Sequence, residues 1–203
     1  MPSVPPFVHL HCHSHYSLLD GGSRLPELTR RAKALGMEAL ALTAHGNLYG
    51  AVEFLRESKA AGIKPIVGME AYVAPRHRSD RSAGGVQNKK HYFHLTLLAR
   101  TGEGFRNLIR LSSLAFLEGY YYKPRIDHEI LERHAEGITC LTGCVSSEYS
   151  DLILNDRVEE AEKLIAWYQK IFGSDHVFVE IQNNGYHVQA EHLERSLDFA
   201  RRR

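Results

Sequence analysis

Apolar and polar positions follow two rhythms along this chain, and the switches between them predict its elements. Runs of period two, rich in β-formers, lie at 7–11, 39–43, 65–73, 91–99, 137–142 and 177–182. Between them, apolar residues three or four apart predict helices over 24–35, 49–61, 103–117, 128–134, 147–154, 157–172 and from 187 to the end. In the second of these, Val52, Leu55 and Ala60 stand against Glu53, Arg56, Glu57 and Lys59. Ser23 is a candidate cap for the first helix, and Gly36 and Gly62 read as stops. Strand and helix in serial alternation predict an α/β fold with a parallel sheet, closed into a barrel or open. The rhythm lapses over 75–90, a stretch rich in Arg, Ser and Gly and long enough to be functional or disordered.

Composition narrows the class. Of 203 residues, 25 are Lys or Arg and 24 are Asp or Glu, a net charge of +1, and 43% are hydrophobic. That supplies one domain core and excludes a disordered tail, a collagenous chain or a mucin-like stalk. No window approaches the ~20 apolar residues of a membrane helix, and the start, Met1-Pro2-Ser3-Val4-Pro5-Pro6, lacks the regions of a signal peptide. A cytoplasmic protein with no membrane partner is expected. Cys12, Cys140 and Cys144 predict reduced thiols or one metal thiolate rather than a disulfide framework. The balanced charge has one local exception: Arg76, Arg78, Arg81, Lys89 and Lys90 face only Asp80 in the long loop. Such an excess can attract the backbone of a frayed single strand, or be a solvated surface.

The compositional anomaly is 13 histidines. His11-Cys12-His13 closes the first predicted strand, His45 follows the second, Glu70 lies in the third, His94 in the fourth, and Cys144 follows the fifth. In a parallel α/β fold the carboxyl ends of the strands meet on one rim, where sites are assembled. Alternation by two puts His11 and His13 on one face, able to hold one ion or bridge two. Mixed imidazole, carboxylate and thiolate ligands suit zinc, with manganese or iron at oxygen-rich positions. His9 is expected one step deeper, in the barrel layer, with Cys12 and Cys140 in the core. His15, His77, His91, His128, His134, His176, His187 and His192 read as solvated or loop residues.

At these residues a family resemblance emerges. Phe7-Val8-His9-Leu10-His11-Cys12-His13-Ser14-His15-Tyr16-Ser17-Leu18-Leu19-Asp20-Gly21 is followed by the Thr-x-His-Gly-Asn-Leu-Tyr-Gly run at 43–50 and the Gly-Ile-Lys-Pro-Ile-Val-Gly-Met-Glu run at 62–70. His-Leu-Thr-Leu-Leu-Ala at 94–99, Glu-Gly-Tyr-Tyr-Tyr-Lys-Pro-Arg at 118–125 and Leu-Thr-Gly-Cys at 141–144 continue the series. Together they closely resemble the N-terminal polymerase and histidinol phosphatase (PHP) domain of bacterial DNA polymerase III alpha subunits. The resemblance implies a distorted (β/α)7 barrel holding two or three divalent metal ions, zinc foremost, with His11, His13, Asp20, His45, Glu70, His94 and Cys144 as ligands. It implies metal-dependent 3′–5′ exonuclease chemistry in some members and a structural or docking role in others; a small-molecule phosphatase is a third reading. His15 is the candidate general acid. The implied partners are a DNA 3′ end or primer strand, the remainder of the alpha subunit, a proofreading subunit and other holoenzyme components.

Three positions depart from the family pattern. Ala44 stands where Asp usually precedes the second-motif His, Asn183-Asn184-Gly185 replaces a common Asp-His-Gly, and no Asn-Asp-x-His segment occurs before Arg203. The chain is therefore expected to be an N-terminal fragment, residues 1–203, of a longer polymerase subunit, with its barrel incomplete at the C-terminal edge.

Overall fold

The computed structural model describes residues 7–82 and 91–202. Helix α1 (Leu25–Ala34) leads to strand β1 (Ala39–His45), helix α2 (Ala51–Ala61) and strand β2 (Lys64–Val73). Strand β3 (Phe93–Ala99), helix α3 (Gly102–Leu117), the two-residue strand β4 (Arg125–Ile126), helix α4 (His128–Arg133) and strand β5 (Ile138–Leu141) follow. Helices α5 (Glu148–Leu154) and α6 (Val158–Phe172), a 3-10 turn (Ser174–His176), strand β6 (Val177–Phe178) and helix α7 (His187–Arg201) complete the chain.

The sheet order is β1-β2-β3-β5-β6, with β4 paired to the end of β2. β1 and β2 are parallel, as are β5 and β6, but β3 is antiparallel to both β2 and β5. The expected all-parallel order fails at that strand. A parallel return needs a crossover, usually a helix, whereas no helix occupies the described part of the connection after β2. Among the described residues the sheet does not close on itself.

The predicted strand over 7–11 is not regular. The His9 carbonyl accepts from Ala41 N at 2.9 Å and the Cys12 carbonyl from Thr43 N at 2.9 Å, so three steps on one chain match two on the other. The Thr43 hydroxyl replaces the ladder, accepting from Cys12 N at 2.9 Å and donating to Cys12 O at 3.1 Å. This clip resets the alternation. His9 is exposed against Phe7 rather than set in a barrel layer. Cys12 packs on the Leu25, Leu40 and Phe54 cluster, and Cys140 is fully buried, both as expected. At the other edge β6 stops at Phe178, where Thr142 Oγ1 accepts from Glu180 N at 2.9 Å in place of a ladder bond.

Two cores cover the sheet. α1 and α2 bury Leu25 and Phe54 against Leu40 and Leu42, while α3, α5 and α6 bury Leu108, Leu111, Tyr149 and Tyr168 against Leu97 and Ile138. Full burial of each such side chain contributes about 1.5–3 kcal/mol. No helix among the described residues is long and apolar enough to cross a membrane.

The long loop has a different role from a free basic surface. Arg78 is buried, and its guanidinium meets Asp127 at 3.0 Å, Glu118 at 2.7 Å and Glu129 at 3.0 Å. Those carboxylates arrive from α3 and the start of α4, so Arg78 is a structural ion and not a DNA contact. Arg76 pairs with Asp80 at 2.5 Å, Arg81 is exposed, and Lys89 and Lys90 lie outside the described residues.

His192 also departs from expectation, being fully buried on α7 rather than solvated. Its Nδ1 lies 3.2 Å from Gln189 Nε2 and its Nε2 3.2 Å from Ser196 Oγ. Burial lowers its pKa below the ordinary 6.5, against a weaker upward pull from Glu180. A group whose folded pKa is depressed stabilises fully above its unfolded value and loses that contribution as pH falls below it. His192 alone therefore removes stability between pH 7 and pH 5, opposing His11, whose raised pKa adds stability over the same window. His192→Gln is expected to lose less stability than the parent from pH 7 to pH 5 in thermal melts.

Candidate metal centre

Parallel pairing sets His45, the last residue of β1, directly beside Glu70 of β2. On the far side of β2, Thr96 lies opposite Glu70 and His94 opposite Tyr72. His94 thus enters from the amino end of a reversed strand, yet on the same rim. His11 and His13 come from the clipped segment beside β1, and Cys144 from the turn after β5.

Glu70 is the hub, with its side chain only 2% exposed. Its Oε1 lies 2.8 Å from His94 Nδ1, 3.4 Å from His11 Nε2 and 3.8 Å from Cys144 Sγ. Its Oε2 lies 3.1 Å from His13 Nε2 and 2.7 Å from His45 Nδ1, and His45 Nε2 reaches Asp20 Oδ2 at 2.8 Å. Three overlapping groups result: His11, His13 and Glu70; His13, Asp20 and His45; His45, Glu70 and His94, each with ligand atoms within 4.8 Å of one another.

The spacing fits cations. Tetrahedral bonds of ~2.0–2.1 Å put neighbouring ligand atoms ~3.3–3.4 Å apart. His11 Nε2 to His13 Nε2 is 3.3 Å, His11 Nε2 to Glu70 Oε1 is 3.4 Å, and His13 Nε2 to Glu70 Oε2 is 3.1 Å. His45 Nδ1 and Glu70 Oε2 are both buried and make no hydrogen bond, although they stand 2.7 Å apart. Facing orphaned polar atoms are the kind of pair that a shared cation satisfies.

Burial alone would raise the Glu70 pKa, but the four imidazoles hold it well below the carboxylate range, so it is an anion. Burial lowers the pKa of His11, yet Glu180 and Glu70 outweigh it and lift the value to about 10. The Cys144 thiol is pushed up to about 11 by burial and by Glu70, and would lose its proton to solvent on binding a cation as thiolate.

Glu180 was not among the expected residues. Its Oε1 lies 2.6 Å from His11 Nδ1, and its carboxylate also accepts from Thr96 Oγ1 at 3.1 Å and Gln182 Nε2 at 2.7 Å. A carboxylate behind an imidazole fixes the ring and its tautomer. The same strand-end reasoning that singled out Glu70 points to Glu180, at the end of Val-Phe-Val-Glu. Ser17 is the second addition: its buried hydroxyl lies 2.8 Å from His13 Nδ1 and accepts from His45 N at 3.2 Å. Although Ala44 carries no carboxylate, the His45 ring is held between His13 at 4.2 Å and Tyr72 at 5.7 Å.

A cavity of about 980 Å³ opens over the cluster. His11, His13, Asp20, His45, Glu70, His94 and Cys144 all line it, with the amides of Gln182, Asn183 and Asn184 at its edge. His15 does not; its ring packs on Tyr16 at 4.5 Å.

The sequence pattern of the PHP domain matches residues 9–184. The chain is 51% identical over 179 residues to the DNA polymerase III subunit alpha of Treponema pallidum, covering 88% of this chain and 15% of that protein. It is 48% identical to the Thermus aquaticus subunit, covering 100% of this chain and 17% of that one. The chain thus spans about a sixth of the length of these polymerase subunits. A Bifidobacterium adolescentis structure assigned as a metal-dependent phosphoesterase shares the fold, with a TM-score of 0.54 at 16% identity over 98% of this chain and 84% of that one. The matched motifs and the cluster they assemble lead to one conclusion: this chain belongs to the PHP domain family, in the form found in DNA polymerase III alpha subunits.

Proposed function

We propose that the chain serves a bacterial replicative polymerase as a metal-dependent phosphoesterase that trims DNA 3′ ends. The observation that carries this reading is the buried Glu70 carboxylate, whose two oxygens divide four imidazoles and a thiol into adjoining groups. His11, His13, Asp20, His45, Glu70, His94 and Cys144 would hold two or three divalent ions, zinc foremost. Bound there, such ions polarise a phosphate oxygen and bring a water towards neutral pKa, so phosphodiester hydrolysis needs no protein nucleophile.

The chain's own groups perform the remaining tasks. Glu180 fixes His11, Ser17 fixes His13, and the Tyr72 face limits rotation of His45. Gln182, Asn183 and Asn184 offer uncharged amide donors along the cavity edge, where a phosphate oxygen can be oriented without adding fixed positive charge. His15, outside the cavity, is poorly placed as the acid, so protonation of the leaving 3′ oxygen falls to solvent.

The test uses the polymerase subunit containing this domain, loaded with zinc or manganese and supplied with a 3′-mismatched primer but no nucleotides. Shortening of the primer is expected, and His13→Ala reduces it at least ~100-fold while extension of a matched primer is retained. Protein that carries stoichiometric metal by elemental analysis and leaves the primer intact would instead support a metal-stabilised scaffold.

A further inference from the structure

Beside the metal cluster lies a group of aromatic and basic side chains that the hydrolytic reading does not use. Tyr121 N donates to Lys123 O at 3.1 Å, closing a tight turn with Tyr122 at its tip. Tyr122 is 72% exposed and holds φ at 60°, in the left-handed region that a bulky residue seldom adopts. Its ring meets Tyr121 at 4.6 Å and His91 at 6.1 Å, and most of its surface stays open to a ligand. A strained, exposed aromatic of this kind is retained where the conformation serves a ligand.

The turn is coupled directly to the site. Lys123 Nζ sits 5.5 Å over the Tyr72 ring, and Tyr72 stacks on His45 at 5.7 Å with its plane only 14° away. Tyr92 contacts Tyr72 at 4.8 Å and lies nearly parallel to His94 at 5.8 Å. Gly46, immediately after His45, is clasped between Pro124 and Tyr72, each within about 3 Å of where a Cβ would stand. No carboxylate pairs with Lys123 among the described residues. Exposed rings for bases and an unpaired ammonium for a phosphate are the two components of a single-strand binding platform.

We propose that the Tyr120–Lys123 turn, with Tyr72 and Tyr92 beneath it, holds the terminal nucleotides of single-stranded DNA beside the metal cluster. Bases stack on Tyr122 and on the half-exposed Tyr120, and Lys123 takes a phosphate next to the one presented to His45 and Glu70. The assignment names the substrate-holding surface of the hydrolytic site and rests on that reading of the cluster. It also assigns the phosphate contact to Lys123 rather than to the buried Arg78.

The test separates binding from chemistry. Fluorescence anisotropy of this chain with labelled oligothymidylate, in EDTA, reads the platform without bound metal. Tyr122→Ala is expected to weaken binding between about 5- and 150-fold, the range for losing one stacked base, while Tyr122→Phe keeps the ring and the affinity. Lys123→Met is expected to lower the slope of log affinity against log salt by about 0.7, the value for one single-strand phosphate. Turnover of the small diester bis(p-nitrophenyl) phosphate by the metal-loaded parent protein reads the hydrolytic site separately from the platform. Unchanged DNA affinity in Tyr122→Ala, or equal losses in Tyr122→Ala and Tyr122→Phe, overturns the platform. Absence of diester turnover, with the Tyr122→Ala loss intact, overturns the hydrolytic reading and leaves the platform standing.

Discussion

Glu70→Gln is expected to weaken divalent-metal binding at least ~100-fold while leaving the chain folded. The substitution keeps volume and one acceptor oxygen but removes the negative charge shared by two of the three ligand groups. Unit charges 4 Å apart interact by about 4 kcal/mol at the effective dielectric of partly shielded sites, and a divalent ion doubles the charge involved. Losing even about 3 kcal/mol of that is a ~100-fold change. Competition titration against a fluorescent chelator measures it. Glu180→Gln offers the graded comparison: it acts through His11, so the expected loss is only about 10- to 100-fold. Wild-type metal affinity in Glu70→Gln would remove Glu70 from the centre of the site.

Arg125→Met is expected to cost about 3–5 kcal/mol of stability. Arg125 is 1% exposed and lies with its guanidinium 5.1 Å from the Tyr121 ring. It donates to the carbonyls of Gly119 at 3.1 Å, Arg78 at 2.9 Å and Asp80 at 2.9 Å. Methionine fills part of the stem volume but leaves the Arg78 and Asp80 carbonyls without their donor, each costing about 1–3 kcal/mol when buried, while Gly119 O keeps only its bond from Arg125 N. Urea denaturation reads the loss. Because those carbonyls belong to the 78–80 loop and to the residue that opens the tyrosine turn, single-strand affinity is expected to fall as well. Tyr122→Ala, at an exposed position, is expected to stay within about 0.5 kcal/mol of the parent in the same assay.

The helices were legible because an amphipathic helix is a local property. Which face is buried was not: on α2 the expected apolar residues Val52, Leu55 and Ala60 are exposed, and Ala51, Phe54 and Ser58 are buried instead. Strand direction was not legible, since period two is the same in parallel and antiparallel pairing, and β3 reverses without any change of pattern. The Thr43 clip was equally hidden, because a hydroxyl replacing a ladder bond leaves no trace in hydropathy. Glu180 escaped because it lies inside the predicted 177–182 strand with no histidine or cysteine motif beside it, and its partners lie far away in sequence.

Residue type and order by themselves supplied the candidate ligands: imidazoles, carboxylates and a thiol, most of them near the ends of predicted strands, with cysteines too few for a disulfide framework. They also set the family. Only the tertiary structure decided which groups meet. It made Glu70 the shared hub, assigned His11 to Glu180, placed His15 outside the cavity, buried His192, and turned Arg78 from a candidate DNA contact into the partner of Asp127. The physical reason is common to all five. A side chain's charge and hydrogen-bonding capacity are fixed by its chemistry, but its use depends on which partners the fold brings within a few ångströms, often from more than forty residues away.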